Sequence, residues 1–238
     1  MNVIFDDQVA AYDRWYFTPL GQLADLVEKE ALFDLLPEIA GRLVLDVGCG
    51  TGNISLALAH RGAQVVGLDA SGPMLARARD KARRAELPLA CIRGSAGKLP
   101  FAADSFDGVL SILALDFMAD RDIAIQEMVR VLRPGGFLAV AMLSRYSLWT
   151  LKRAIRAWLK PSLWGKVRFI TPKGLRRLLS SHPELTGLKT RQAVYFPPWK
   201  NPRLVLYYPY LESWGQKLGL PFGAFLATIA WKRHIRSL

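Results

Sequence analysis

At residues 44–53 the chain reads VLDVGCGTGN, an apolar run that ends on Gly48, Gly50 and Gly52 before a helix-forming stretch begins. Glycine permits a tight turn and lets backbone approach a ligand without interference from a Cβ. The helix that follows offers unpaired N–H groups in its first turn. Many nucleotide-binding folds open this way, so the spacing matters. It is G-x-G-x-G; the dinucleotide pattern G-x-G-x-x-G requires glycine where this chain has Asn53, which disfavours a nicotinamide oxidoreductase. Asp46 lies inside the strand end, where a carboxylate is costly without a partner, and a cationic or donor-rich ligand would supply one. Asp69 ends the next apolar run, VVGLDAS, 17 residues after Gly52. An acid there can accept hydrogen bonds from both hydroxyls of a ribose. The competing role, capping the next helix, is filled by Ser71.

Around this motif, short apolar runs alternate with helical ones. Strands are expected at 42–47, 64–68, 89–92, 108–113 and 137–143. Helices are expected at 53–60, 73–86 and 122–132, the last stopped by Arg-Pro-Gly-Gly. One helix is expected over 9–36. Near-continuous apolar strands joined by helices imply a parallel sheet covered on both faces, an α/β doubly wound Rossmann-like fold with its ligand at the carboxyl ends of the strands. Further on, helices are expected at 148–159, 171–180 and 203–218, and strands at 189–196 and 224–232.

The blocks VLDVGCGTG, VVGLDAS followed by Met74-Leu75, LPFAADSFDGV (99–109) and EMVRVLRPGG (127–136) together resemble class I S-adenosylmethionine-dependent methyltransferases of the type 11 group, which includes ubiquinone and menaquinone methyltransferases. The resemblance covers roughly residues 40–143 and says little about the acceptor. It implies a seven-stranded sheet whose last strand is antiparallel, with N-terminal helices and a helical cap after the fifth strand. It implies S-adenosylmethionine as cofactor. Gly48, Cys49 and Gly50 would then pass its methionine part, with Asp46 nearby. Asp69 would bind the ribose, and Ala70 and Met74 would flank the adenine. The adenine edge would meet Ser95 and Ala96, and Leu113 or Ile112 would line the pocket through backbone. Many relatives carry Asp where this chain has Ser95, which removes a charge-assisted bond. Relatives also often carry His after the fourth strand, where this chain reads Leu115-Asp116-Phe117. Asp116 is the best-placed base by sequence; a plain loop carboxylate is the competing reading. His60, His182 and His234 all lie elsewhere. Tyr12 and Tyr16, in the stretch YDRWY, either fold over the cofactor, as aromatics there do in relatives, or pack an N-terminal helix.

The chain has 238 residues and 51% hydrophobic composition, enough for one domain with a sizeable core. Its expected parts are an N-terminal helical cap (1–40), a cofactor-binding core (41–143), a basic lid (144–190) and C-terminal strands with a helix (191–238). MNVIFDDQ at the start is unlike a secretory leader, and a cytoplasmic protein is expected. Cys49 and Cys91 are expected as reduced, packed thiols, with no metal site.

Net charge is +12 but unevenly placed: residues 1–143 hold 14 Lys and Arg against 18 Asp and Glu, or −4, while residues 144–238 hold 18 against 2, or +16. In SLWTLKRAIRAWLK (147–160), Leu148, Leu151, Ile155, Trp158 and Leu159 share one helical face, and Lys152, Arg153, Arg156 and Lys160 fall largely on the other. Two readings compete with the favoured one, a cap with a solvated basic face: docking on an anionic membrane, and nucleic-acid binding. The aromatics Tyr195, Phe196, Trp199, Tyr207, Tyr208, Tyr210 and Trp214 either wall an apolar pocket or belong to the core. The expected function is methyl transfer to a small, apolar or lipid-like acceptor. A tRNA methyltransferase and a non-catalytic scaffold are the alternatives, and the intact glycines and Asp69 argue against the second.

Overall fold

The computed structural model describes residues 5–159 and 163–234. Its strands are β1 (Leu43–Val47), β2 (Gln64–Asp69), β3 (Leu89–Arg93), β4 (Phe106–Ile112), β5 (Leu132–Leu143), β6 (Leu185–Ala193) and β7 (Phe225–Lys232). They form one sheet in the order β3-β2-β1-β4-β5-β7-β6. β1 to β5 pair in parallel, and β7 runs antiparallel to both of its neighbours. The order reverses between β1 and β4, so the loops leaving those two strands bound the crevice where such folds bind ligands.

The helices are α1 (Val9–Tyr16), α2 (Pro19–Phe33), α3 (Asn53–Ala59), α4 (Gly72–Arg84), α5 (Arg121–Val131), α6 (Leu148–Leu159), α7 (Pro172–Ser180), α8 (Pro202–Val205) and α9 (Tyr208–Lys217). The single helix expected over 9–36 is two. Thr18 adopts an extended conformation and its hydroxyl accepts from Gly21 N at 3.0 Å, which caps α2. Pro19 has no N–H to continue α1. The helix expected over 203–218 is likewise divided into α8 and α9, with a proline in the first turn of α9. β5 begins directly after α5, so Arg-Pro-Gly-Gly belongs to the strand, and β6 starts four residues earlier than the sequence suggested and ends at Ala193.

The sheet is covered on both faces. Val47, Val109, Leu138 and Val140 pack with Ile125, Met128 and Leu175 on one side. Val44, Leu110 and Ile229 pack with Leu32 and Leu58 on the other. A third cluster joins α2 to Trp149, Phe196, Tyr208 and Phe225.

The aromatic run near the C-terminal end separates cleanly. Phe196 and Tyr208 stack in the core, with ring centroids 5.1 Å apart, whereas Trp199, Tyr207, Tyr210 and Trp214 are exposed. In α6 the basic Lys152 and Arg156 are solvated, and the apolar face is left uncovered as well. Leu148, Leu151, Ile155, Trp158 and Leu159 all face solvent, and Trp149, Thr150 and Arg153 turn inward. Lys160 lies outside the described residues. Among the described residues, no helix is long and apolar enough to cross a membrane.

Candidate functional site

The glycine loop is held in a conformation that L side chains rarely adopt: φ is +77° at Gly48, +54° at Gly50 and +80° at Gly52. Gly48 N and Cys49 N both donate to Leu68 O, at 2.7 and 3.1 Å, which ties the loop to the end of β2. A Cβ at Gly48 would lie 2.3 Å from the Cβ of Ala114, so the loop after β1 and the loop after β4 touch only because residue 48 has no side chain. Above Gly50 the space is open; the nearest atom to a Cβ there would be Tyr12 Oη at 3.9 Å. That opening lets an extended ligand approach the loop backbone closely.

Asp69 stands beside it. Its two carboxylate oxygens accept from Gly50 N at 2.9 Å and Ser71 N at 2.8 Å, which fixes its orientation. Burial pushes its carboxyl up, against the pull of these backbone donors. Ala70 is exposed, and its carbonyl accepts from Arg93 Nε at 3.0 Å. Exposed Ser95 and half-buried Ala96 follow the neighbouring strand β3. Met74 is buried in the first turn of α4, with its N–H capped by Ser71 Oγ at 3.3 Å. Leu113 has a φ of +57°, uncommon for a branched residue, and donates to Ala141 O at 2.8 Å.

Asp46 finds its partner inside the chain. It accepts from Ser55 Oγ at 2.6 Å, and burial together with the neighbouring Asp69 charge pushes its carboxyl up to about 6. Cys49 is buried, and its sulfur packs against the face of Gly67. Asp116 is fully enclosed. Both of its carboxylate oxygens accept from Leu143 N at 3.2 Å, and burial pushes it up to about 7. His60 caps the end of α3, His182 lies 3.9 Å from Asp122, and His234 rests against Gly135, all away from the crevice loops.

The tyrosines do reach the loop. Tyr16 Oη donates to Tyr12 Oη at 3.0 Å, and their rings meet edge-on at 5.3 Å. Burial pushes Tyr12 up to about 12. What brings them there is a neighbour that sequence reasoning passed over. Asp13 is buried and accepts from Arg77 Nε at 2.6 Å, Lys81 Nζ at 2.6 Å and Thr51 Oγ1 at 2.8 Å. Lys81 Nζ also donates to Thr51 Oγ1 and Asn53 Oδ1, each at 2.8 Å. This network fastens α1 to α4 across the glycine loop. Arg77 and Lys81 stand one turn apart on α4, the single local sign that they share a task. Glu28 of α2 was also passed over, and Arg153 was read only as part of the basic face of α6; both are half-buried, and each is within electrostatic reach of the other.

With this geometry in place, the comparisons are consistent. Residues 45–140 match the family described as a methyltransferase domain. A demethylmenaquinone methyltransferase of Beutenbergia cavernae is 36% identical over 76% of this chain and 70% of that protein. An uncharacterised protein of Mycobacterium tuberculosis is 34% identical over 79% of this chain and 72% of its own length. A solved S-adenosylmethionine-dependent methyltransferase of Thermotoga maritima, described as a possible histamine N-methyltransferase, superposes with a TM-score of 0.75 at 23% identity, covering 97% of this chain and 99% of that one. The chain belongs to the class I S-adenosylmethionine-dependent methyltransferases, in the type 11 group. It is an enzyme, and S-adenosylmethionine is its cofactor.

The Asp13 network yields a test by pH. Burial alone would raise this carboxyl, but its bonds to Lys81, Arg77 and Thr51 hold it below the ordinary 3.8. A depressed folded value means that the stabilisation is present above 3.8 and is lost as pH falls through the lower folded value. Asp13→Asn should therefore cost roughly 1.5–3 kcal/mol at neutral pH, the range for hydrogen bonds to a charged group. Urea unfolding of the two proteins at neutral and acid pH measures it, and the gap should narrow at the acid end.

Proposed function

We propose that this enzyme transfers the methyl group of S-adenosylmethionine to a small, apolar or lipid-like acceptor taken up at the surface of an anionic membrane. Relatives named for demethylmenaquinone methylation support a small apolar acceptor. The observation that carries the membrane part is the outer face of α6. An apolar stripe normally packs inward; this one lies in solvent, with Trp158 86% exposed. Basic Lys152 and Arg156 flank it, both exposed. Lys152 Nζ donates to Pro198 O at 2.6 Å and Tyr208 Oη to Trp199 O at 3.0 Å, so the stripe adjoins the segment bearing exposed Trp199, Tyr207, Tyr210 and Trp214, with Lys200, Arg203 and Lys217 among them. Apolar side chains ringed by cations match an anionic bilayer surface in both respects. Trp149 takes no part in that surface and belongs to the core: its Nε1 donates to Phe196 O at 2.7 Å.

In this reading Gly48, Cys49 and Gly50 pass the methionine end of the cofactor, with Asp46 and Ser55 bracing the strand end beneath. Asp69, already oriented by two backbone donors, takes the ribose hydroxyls. Ala70, Met74, Ser95 and Ala96 bound the adenine, Leu113 offers backbone, and Tyr12 and Tyr16 close the site from α1. The cofactor supplies an already activated methyl group. The chain's own contribution is to align the acceptor and keep water out. Asp116 has no surface through which to meet an acceptor, and we assign it the support of β5 rather than proton transfer.

Three measurements check these assignments. In calorimetry with S-adenosylhomocysteine, Asp69→Ala should weaken binding by roughly 1.5–3 kcal/mol; unchanged affinity removes Asp69 from the site. With labelled cofactor and a panel of demethylated naphthoquinones, Asp116→Asn should keep turnover within about tenfold, where loss of a general base would depress it by roughly 10²–10⁴. Co-sedimentation should show binding to phosphatidylglycerol vesicles that fades with salt and drops when Leu151, Ile155 and Trp158 become Ser. A protein that stays in the supernatant at low salt sinks the membrane reading, and tight tRNA binding in the same buffer would put nucleic acid in its place.

A further inference from the structure

Arg153 points the opposite way from the rest of the basic residues on α6. Its guanidinium lies over the Trp164 ring at 4.3 Å and near the Trp149 ring at 5.3 Å. Trp149 is itself immobilised by its bond to Phe196 O and by edge-on contact with Trp15 at 5.9 Å. An arginine stacked by its face on indole keeps its edge N–H groups free for planar, bidentate hydrogen bonding. Nη1 of Arg153 is shielded from bulk water and has no hydrogen-bond partner among the described residues. A buried donor on a cation is expensive to leave unmade.

The surroundings show where it points. Arg153 feels two carboxyls, Glu28 of α2 and Asp116 of the loop after β4, and forms an ion pair with neither among the described residues. Glu28 in turn lies beside the Tyr12–Tyr16 pair over the glycine loop. Arg153 therefore lies within electrostatic reach of α2 on one side and of the loop after β4 on the other. Glu28 keeps accessible surface even though burial pushes it up to about 8 and Asp116 is pushed up to about 7. Arg153, lowered by burial to about 10, keeps its proton at neutral pH while neither carboxyl is fully ionised. Among the described residues the cation is left without a full counter-charge.

We propose that Arg153 forms an anion-holding subsite in the acceptor cleft, and that the methyl acceptor carries an anionic oxygen group, a carboxylate or the oxyanion of an acidic enol or phenol, on an otherwise apolar body. Trp149 and Trp164 set the plane of the guanidinium, and its free edge receives the two oxygens or the single oxyanion. The inference rests on the reading that a small acceptor binds over the strand ends, and it adds the chemical class of that acceptor. Glu28 competes with the ligand for the same cation, so removing its charge favours the ligand.

The test uses the full chain saturated with S-adenosylhomocysteine and two pairs of probes, 2-naphthoate with 2-naphthamide and decanoate with decanamide. Each pair shares its shape and differs in charge. Calorimetry and tryptophan fluorescence should show at least one acid binding about tenfold or more tightly than its amide, the scale of a hydrogen bond to a buried charge. Arg153→Gln should abolish that preference, Arg153→Lys should keep part of it, and Glu28→Gln should keep or strengthen it. Affinity for S-adenosylhomocysteine should match the parent protein in all three, which also reports that they are folded. Equal binding of acid and amide by the parent protein, no binding of either, or a preference that survives Arg153→Gln overturns the proposal. Failure of the parent protein to bind S-adenosylhomocysteine strikes at the cofactor assignments instead, so the two failures are told apart.

Discussion

The carboxylate of Asp13 is gripped by Lys81 and Arg77 of α4 and by the hydroxyl of Thr51, and what lies above the strand ends takes its place from that contact. Thr51 sits inside the glycine loop, between two residues of positive φ. A loop of that kind has little side chain with which to hold its shape, and glycine gains more freedom than other residues when the chain opens. The bonds from Lys81 to Thr51 and Asn53 supply the missing rigidity from outside the loop. Because Asp13 belongs to α1, the same bonds draw Tyr12 over Gly50 and bring α2 and Glu28 in behind it. One buried cluster of opposite charges thus shapes the glycine loop and sets the helices above it.

The second ordering feature is the inversion of α6. A helix of alternating apolar and basic residues is expected to bury the former and solvate the latter. Here the inward side carries Trp149, Thr150 and Arg153, and the leucines, Ile155 and Trp158 lie outside. Thr150 Oγ1 donates to Ser144 O and Trp149 Nε1 to Phe196 O, so the inward side is anchored by hydrogen bonds as well as by the packing of Trp149 on Trp15 and Phe196. A helix held in that way is free to present an apolar outer surface, which is unusual on a chain in water.

Much of this was legible in the sequence where the signal is local. The glycines at 48, 50 and 52 and the acid at 69 lie within one β-α-β stretch, and their spacing placed a ligand crevice at the strand ends, though not the order of the strands around it. The break between α1 and α2 was also written locally, in Thr18-Pro19, but the leucine periodicity of 23–36 masked it. Asp13 and Lys81 are 68 positions apart, and no periodicity relates them. For α6 the pattern defines two faces, yet which one is covered depends on Trp149 meeting Trp15 and Phe196, both remote in the chain. The same holds for Phe196 and Tyr208, which are buried beside exposed Trp199 and Tyr207. Alternation of aromatic residues says that one side is covered, not which.

The strand order has a consequence for how such a chain is made. β7 stands between β5 and β6, pairing with both, although it follows both in the chain. When β6 emerges from the ribosome, the place it will occupy has no neighbour to receive it, and the open edge of β5 must wait as well. The β-α-β units β1–β2, β2–β3 and β4–β5 pair locally and can form early, and the longer-range β1–β4 contact then joins them before β6 and β7 are made. The final two places fill only when β7 arrives and completes both ladders together. Until then the long apolar edge of β5 is the segment most in need of protection from other chains, a vulnerability of synthesis that the finished sheet no longer shows.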